Sequence, residues 1–372
     1  MKYIITKEMI KNSLVSKGDI SRLIRVIDKA KNGQDITIAF VGGSITQGCN
    51  ATTKENCYVS RTYSWFKETF KNININCINS GVGATGSIIG VHRVKKVLSH
   101  NPDIVFIDFA VNDKSSIYDK IAYESLVRRI LSNENHPAII EVFMSNFDGS
   151  NVQEQQIEIG KKYNIPMISF RDTIQKEIKN GRFKWQDVAT DEVHPNDYGH
   201  FIISELLIDF IKNIYNDLDK EFNNEVNYKL IELGDPVFGE DYICGEIKNN
   251  KNLKVDKSKG ILEDFKGFQV FCDGWNSSRV KGDKAVIRVD LKGKNIFLLY
   301  KKSIKKTAGK MQVTVDGNEP IIIDTYFDNG WGDYSATELL AQGDSFDNHS
   351  IEINLIDDEY KNEIYIMGFL VS

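Results

Sequence analysis

The sequence predicts an α/β protein in which a three-layer, doubly wound parallel sheet of about five strands is followed by a second, all-β sandwich domain. Up to residue 225, apolar runs alternate with stretches of helical spacing, and after it short alternating runs follow one another directly. At roughly 150 residues per domain, the 372 residues also favour two domains. We therefore expect domains at 1–225 and 226–372, joined by the Asn/Asp/Lys-rich stretch 213–228.

Five apolar runs in the first domain have the length of buried strands. They are Ile36–Val41, Ile73–Ile78, Ile104–Val111, Ala138–Met144 and Pro166–Phe170. Helical patterns separate them, for example one that starts near Ser87 and one over Tyr123–Leu131, and residues 1–33 are predicted to be an N-terminal helical extension. Right-handed crossovers make such a sheet flavodoxin-like and bring the carboxyl ends of its strands to one edge.

The second domain contains short, often alternating apolar runs that indicate a jelly-roll-like β-sandwich. They are Val286–Leu291, Ile296–Tyr300, Met311–Val315, Ile321–Ile323, Ile351–Leu355 and Ile364–Leu370. Asp316-Gly317 between two of these runs is a hairpin signal, because both residues tolerate a positive φ.

Composition narrows the classes of partner. The chain is 41% hydrophobic and 27% charged, with a net charge of -5 and a pI near 5.8. Proteins that bind nucleic acids or anionic membranes usually present a positively charged surface, so neither is expected as a partner of this acidic chain. We expect a small-molecule or oligosaccharide substrate, and the β-rich half could support an oligomer.

The N-terminus and the cysteines bear on location. Charges interrupt the apolar residues of Met1–Ile10, so this segment is a poor secretory signal, and no later apolar stretch is long enough to span a bilayer. We expect a cytoplasmic protein, although a secreted one whose leader had been removed would have the same pattern. The five cysteines form no Cys-x-x-Cys pair and suggest reduced thiols, with only Cys49 and Cys57 close in sequence.

One serine stands out at the end of the first predicted strand. Ile36–Val41 runs directly into Gly42-Gly43-Ser44-Ile45-Thr46, which places Ser44 at the edge where open α/β sheets carry their chemistry. Ser44 is therefore a candidate nucleophile. A serine that only caps the following helix would fit the motif equally well.

Three further motifs follow other strands of this domain. They are Asn79-Ser-Gly81-Val-Gly83-Ala84-Thr-Gly86-Ser87, Val111-Asn112-Asp113 and Asp191-Glu-Val-His194-Pro195-Asn196. A serine hydroxyl needs a base, and an imidazole held by a carboxylate is the usual one, which His194 and Asp191 can supply. The glycine-rich turn offers backbone N–H groups and Asn112 offers an amide for a developing oxyanion.

These blocks resemble, in order, those of the SGNH hydrolases, also called GDSL-type esterases and lipases. The resemblance covers roughly residues 34 to 215 and implies a triad of Ser44, His194 and Asp191. It implies an oxyanion hole of the Ser44 N–H, the Asn112 amide and one N–H of the glycine-rich turn. Ala84 stands at the family's customary glycine with Gly83 one residue earlier, so the sequence leaves open which of the two donates.

The first block has Gly-Gly-Ser-Ile-Thr in place of the family's Gly-Asp-Ser-Leu. This block, together with Tyr123–Leu131 and the segment from His194 to His200, looks most like the carbohydrate-esterase and acetylxylan-esterase-like branch of the family. The resemblance thus implies a serine esterase that removes short acyl groups, most often acetyl, from carbohydrates. It implies no cofactor and no metal. A lipid esterase or acyl thioesterase with the same blocks is the alternative.

Two more distant alternatives remain. Gly81-Val-Gly83-Ala-Thr-Gly86 satisfies the dinucleotide fingerprint, with Asp108 as the acidic residue, and predicts an oxidoreductase. That hypothesis leaves Ser44, Asn112 and the Asp191/His194 pair unexplained, and Asp108 falls inside an apolar run rather than at its end. The other alternative is a glycan-binding protein with a vestigial hydrolase half. A P-loop fails because Cys49 and Asn50 stand where lysine and Ser/Thr belong, and an α/β-hydrolase elbow fails because Thr46 stands where a glycine belongs.

Several other side chains have structural explanations at least as good as functional ones. Asp113 could orient the turn that carries Asn112, and Trp185 or Tyr58 could line an acyl pocket or belong to the core. His200 is expected to be a packed or capping residue. In the second domain five aromatic residues could form a sugar-stacking surface, with the sandwich core as the favoured explanation: Trp275, Tyr326, Phe327, Trp331 and Tyr334.

Overall fold

A computed structural model describes residues 4–221, 232–277, 285–356 and 363–372. The chain divides into two compact units, Met1–Glu240 and Asp241–Ser372. The boundary predicted between 225 and 226 lies outside the described residues. The described part of the predicted connector, 213–221, is the end of a long helix.

The first unit contains a six-stranded sheet. Its strands are β1 Leu14–Ser16, β2 Ile36–Gly42, β3 Ile75–Gly81, β4 Ile104–Asp108, β5 Ala138–Phe143 and β6 Met167–Ser169. They are ordered β1-β6-β5-β4-β2-β3, and every pair from β2 to β6 is parallel. This is the flavodoxin-like order, so the predicted fold class is confirmed. Successive strands are added to one side of β2 for β3 and to the other side for β4 to β6, so the strand order reverses between β2 and β4, where such folds open a crevice for ligands.

Helices flank this sheet. They are α1 Lys7–Ser13, α2 Ser21–Lys31, α3 Ser44–Gln47, α4 Tyr58–Thr69, α5 Ser87–Arg93, α6 Lys95–Leu98, α7 Ile117–Leu131, α8 Gln153–Lys162, α9 Phe170–Lys179, α10 Trp185–Val188 and α11 Asp197–Glu221, with a 3-10 turn at Lys54–Asn56. Alternate residues of β2, such as Ile38 and Phe40, lie in one apolar core with α2, α4 and α11. The ring of Phe40 stacks on that of Phe106 with centroids 4.4 Å apart. Burial of this face fixes the register of the central strands.

The N-terminal extension is not helical throughout. Between α1 and α2 the chain forms β1, which adds antiparallel to the sheet edge through Leu14↔Ile168 and Ser16↔Met167. A strand of three residues is too short to show alternation, which is why the helical pattern on either side conceals it.

The segment 232–240 packs on the first unit through two side chains of α7. The buried carboxylate of Glu124 accepts hydrogen bonds from the backbone N–H groups of residues 237, 238 and 239, at 2.7, 2.6 and 3.1 Å. Arg128 forms an ion pair with Glu240 at 2.7 Å and donates to the carbonyl of Gly234. These contacts explain why the first unit extends to residue 240.

The described residues of the second unit form nine strands. They are β7 Glu246–Lys248, β8 Val255–Lys259, β9 Leu262–Asp264, β10 Gly274–Asn276, β11 Val286–Lys302, β12 Lys310–Val315, β13 Ile321–Asp324, β14 Tyr334–Ile356 and β15 Tyr365–Val371. All pairings between these strands are antiparallel, so the predicted all-β class is confirmed. Two predicted runs are one strand, β11, because bulges at Gly293/Asn295 and Ile296/Phe297 let it bend without ending.

The predicted hairpin joins β12 and β13, and Asp316 and Gly317 have φ of 54° and 72°. Within the described parts of the chain, none of the helices has the length and apolar character needed to cross a bilayer.

Candidate active site

Ser44 lies where β2 ends, as the first residue of α3. The two glycines before it are required by close packing. A Cβ on Gly43 would come within 2.2 Å of the side-chain oxygen of Asn112, and a Cβ on Gly42 within 2.3 Å of Thr46 Oγ1. The absence of side chains at these two positions therefore lets the neighbouring side chains pack closely around the serine.

Ser44, His194 and Asp191 form a chain of hydrogen bonds. The Oγ of Ser44 lies 2.8 Å from His194 Nε2, and His194 Nδ1 lies 2.8 Å from Asp191 Oδ2. The other carboxylate oxygen of Asp191 accepts the backbone N–H groups of Val193 and His194 at 2.8 and 2.7 Å. The motif Asp-x-x-His thus folds into a turn that aims both side chains along one line toward the serine.

The surroundings of the imidazole favour its charged form. The Cys49 side chain raises the pKa of His194 to about 9, with Asp191 adding to the effect and burial opposing it. Partial burial acts to raise the pKa of Asp191, but the backbone N–H groups of His194 and Val193, together with the His194 side chain, hold that pKa below its ordinary value. Asp191 is therefore ionised at neutral pH, and its charge favours a proton on the imidazole.

The turn after β3 distinguishes the two candidate N–H donors. The Gly83 N–H already donates to the side-chain oxygen of Gln47 at 2.9 Å. Ala84 has φ of 57°, in the left-handed region that favours glycine. In the described part of the chain, the backbone N–H groups of Ala84 and Ser44 have no hydrogen-bond partner. Ala84, rather than Gly83, therefore presents an uncommitted donor.

Asn112 lies in the turn after β4. Its N–H and that of Asp113 both donate to the carbonyl of Phe109 at 3.0 Å, and its side chain lies against Gly43. Asp113 accepts the backbone N–H of Ser87 at 2.7 Å, which anchors the turn to the start of α5, as expected of a residue that orients it. Among the described residues, nothing is hydrogen-bonded to the Asn112 amide, so it is available to a ligand.

A buried polar group supports α3 from below, a role that was not predicted for its residues. The Thr46 hydroxyl donates to Asp108 Oδ2 at 2.8 Å and lies 2.7 Å from the Tyr58 hydroxyl. Burial raises the pKa of Asp108 to about 7, against the opposing effect of Thr46. Contrary to expectation, Asp108 is the last residue of β4. Its carboxylate is nevertheless buried beneath α3 and cannot reach the ribose that the dinucleotide hypothesis requires.

Arg93 supports the site as well, and no motif in the sequence pointed to it. Its guanidinium donates to the carbonyl of Ser80 at 2.6 Å and to that of Gly42 at 3.0 Å. The Gly42 carbonyl also accepts the N–H of Val82 at 3.0 Å. One side chain therefore joins the ends of β2 and β3, the strands that lead to the serine and to the Ala84 turn.

The remaining candidates have anchoring or packing roles. The Trp185 indole N–H donates to the carbonyl of Asp191 at 2.6 Å, and the Tyr58 side chain is buried. His200 is buried with Nε2 3.0 Å from the carbonyl of Cys49, as a packed residue should be. Asn50, which the sequence did not single out, donates to Asp191 Oδ2 at 2.9 Å.

The described residues contain no group of three or more His, Cys, Asp or Glu side chains arranged to hold a metal ion. The five cysteines are free thiols, including Cys49 and Cys57.

The five aromatic residues of the second unit do not form one surface. Trp275 is 1% exposed and belongs to the core, whereas Trp331 is 71% exposed. The ring of Trp331 stacks on that of Tyr334 with centroids 5.3 Å apart, and Phe327 packs edge-on against both. The exposed Trp331 and the half-buried Phe327 and Tyr334 thus form one aromatic cluster.

Comparison with known proteins gives a consistent result. Residues 40–202 match the model of the GDSL-like lipase/acylhydrolase family. A solved structure of a two-domain esterase (CEX) active on acetylated mannans, co-crystallized with mannopentaose, is 30% identical with a TM-score of 0.89, and the match covers 98% of this chain and 97% of that one. A second structure of that esterase is 29% identical with a TM-score of 0.90 and 98% of each chain covered. No curated protein matches the sequence significantly.

Proposed function

The chain belongs to the GDSL-like lipase/acylhydrolase family and is a carboxylic ester hydrolase, and from this premise we propose that it removes acetyl groups from carbohydrates with Ser44 as nucleophile. The observation that carries the proposal is the hydrogen-bonded chain from Ser44 through His194 to Asp191, at 2.8 Å for each step between side chains. It lies at the carboxyl-end edge of the sheet, beside the boundary between β2 and β4 where the strand order reverses.

In the proposed reaction, Ser44 Oγ attacks the ester carbonyl carbon while His194 Nε2 takes the hydroxyl proton. The imidazolium then gives that proton to the departing sugar alkoxide, which leaves an acetyl ester on Ser44. Water, deprotonated by His194, releases acetate and restores the serine. Asp191 keeps the proton of the neutral imidazole on Nδ1, so that Nε2 faces the serine as an acceptor.

We assign the oxyanion hole to the backbone N–H groups of Ser44 and Ala84 and to the Asn112 amide. Gly83 is set aside because its N–H is already bonded to Gln47. An oxyanion hole works through donors that are oriented before the charge develops, and these three are held by a helix start and two turns. The left-handed backbone of Ala84 is the kind of local strain that functional turns retain.

An acetylated oligosaccharide is the proposed substrate. The full-length similarity to an esterase active on acetylated mannans, which includes the second unit, supports a carbohydrate alcohol over a lipid. The aromatic cluster around the exposed Trp331 supports it as well, because a flat aromatic face suits the apolar face of a pyranose ring. The net charge of -5 fits a neutral sugar chain.

Acetate release measures this directly. Purified enzyme is incubated with acetylated manno-oligosaccharides, with acetylated xylo-oligosaccharides and with a series of p-nitrophenyl esters from acetate to octanoate. We expect acetate from an acetylated oligosaccharide and a steep fall in kcat/KM as the acyl chain lengthens. Preference for the long-chain esters, with no acetate released from either sugar, would instead support the lipid esterase or thioesterase.

A further inference from the structure

The carboxylate of Asp191 is the most exposed member of the hydrogen-bonded chain. Its side chain is 47% exposed, against 24% for His194. Water competes for hydrogen bonds at an exposed carboxylate, so fixed donors are needed if the group is to hold one orientation.

The two oxygens of Asp191 are held differently. Oδ1 accepts two backbone N–H groups of its own turn, those of Val193 and His194. Oδ2 faces the imidazole and accepts His194 Nδ1–H at 2.8 Å and the side-chain amide of Asn50 at 2.9 Å. Asn50 is thus the distant residue, 141 positions away in sequence, that holds the oxygen on which the imidazole depends.

The backbone of Asn50 is itself in an unusual state. Its φ of 64° lies in the left-handed region, which asparagine tolerates better than other non-glycine residues. The same amide nitrogen also donates to the Thr190 hydroxyl, and the carbonyl of the preceding residue, Cys49, accepts from His200 Nε2 at 3.0 Å. Asn50 is therefore anchored on both sides while its amide faces the carboxylate.

We propose that Asn50 is a positioning residue of the triad, whose amide holds Asp191 Oδ2 toward His194. This rests on the proposed function, in which Asp191 orients the catalytic base. Asn50 follows Ser44 within the same segment, so one stretch of chain presents the nucleophile and fixes the orientation of its base. The amide orients the carboxylate by a hydrogen bond. Because the amide is neutral, it does so without adding a charge beside the imidazole.

Two substitutions separate the role of the amide from that of the backbone. Asn50→Gly keeps the left-handed backbone accessible and removes the amide, so kcat should fall about tenfold with KM little changed. Asn50→Asp keeps the size and places a second negative charge beside Asp191. The pKa of His194 should then rise, and the acid limb of the kcat/KM profile should move to higher pH. The titratable groups that face His194, namely Asp191, Cys49 and His200, stay in place in both variants.

A matched control lies in the same loop. Asn56 also donates its amide to a carboxylate, that of Asp197 at 3.0 Å, without touching Asp191. Asn56→Ala should keep the wild-type kcat and pH profile, and thermal unfolding of every variant reports whether the fold is intact.

The outcomes separate this inference from the proposed function. Wild-type kcat and pH profile in both Asn50 variants, alongside an inactive Ser44→Ala, would overturn the inference alone. So would an equal loss of kcat in Asn56→Ala, since the effect would then come from loosening the loop. Full turnover in Ser44→Ala would overturn the proposed function and this inference with it.

Discussion

The serine side and the histidine side of the site are held in place by different means. Ser44, the Ala84 turn and Asn112 follow three adjacent parallel strands, and buried groups such as Asp108 pack beneath them. Asp191 and the histidine lie on an exposed loop that is held by side-chain hydrogen bonds.

This difference has consequences for mutation. On the serine side the closely packed strand ends fix the positions of Ser44, Ala84 and Asn112, so a larger side chain there would clash with its neighbours. On the histidine side polar contacts in partial contact with water set the orientation and the proton affinity of the imidazole. We therefore expect substitutions on the serine side to act on transition-state binding, and substitutions around the histidine to act on the pH dependence.

The largest effect is expected from Ser44→Ala. Loss of the proposed nucleophile should remove nearly all turnover of p-nitrophenyl acetate while the melting temperature stays close to that of the wild type, because the side chain is small and caps no buried group. A companion variant, His194→Ala, should resist labelling by an organophosphate because Ser44 lacks its base. Rapid labelling of Ser44 in that variant would show that another group takes the proton.

The next effect concerns the oxyanion hole. Asn112→Ala should lower kcat by about 10²–10³-fold, because it removes one of the three proposed donors. Gly43→Ala should cause a loss of the same order, since its Cβ would come within 2.2 Å of the Asn112 side-chain oxygen. If both act through the Asn112 amide, the double variant is no slower than the slower single one, whereas additive losses would point to separate causes.

A smaller effect is expected from Cys49→Ala on the histidine side. The Cys49 side chain is the largest cause that raises the pKa of His194 to about 9, and the imidazole must lose its proton to act as base. Activity of the wild type should therefore rise with pH toward about 9. Removal of the sulfur should move the acid limb of kcat/KM to lower pH and raise activity at pH 7, and an unmoved limb would rule out this role of Cys49.

The smallest effect is expected from Ala84→Gly. The backbone N–H stays in place, so kcat should be unchanged. Relief of the left-handed strain and the greater freedom of glycine in the unfolded chain oppose each other, so the free energy of unfolding should change by less than about 1 kcal/mol. A large loss of kcat would mean that the Ala84 methyl group contacts the substrate.

Much of the fold followed from patterns that are local in sequence. Buried strands such as Ile36–Gly42 show as continuous apolar runs, and Asp316-Gly317 showed as a turn because its chemistry depends on two neighbouring residues. The short edge strand Leu14–Ser16 did not show, because three residues carry no period and its partner lies far along the chain. The continuity of Val286–Lys302 was missed because its bulges interrupt the alternation.

The sequence by itself determined which residue types follow each strand. Because parallel topology brings every strand's carboxyl end to one edge, that order was enough to place the candidate residues at the same edge. Only the tertiary structure decided which donors are free. It commits the Gly83 N–H to Gln47 and leaves that of Ala84 without a partner among the described residues. It also decided what holds the histidine loop, because the amide of Asn50 meets Asp191 across 141 residues of sequence. Periodicity and turn chemistry act between neighbours in sequence, whereas hydrogen bonds between loops depend on how the whole sheet folds.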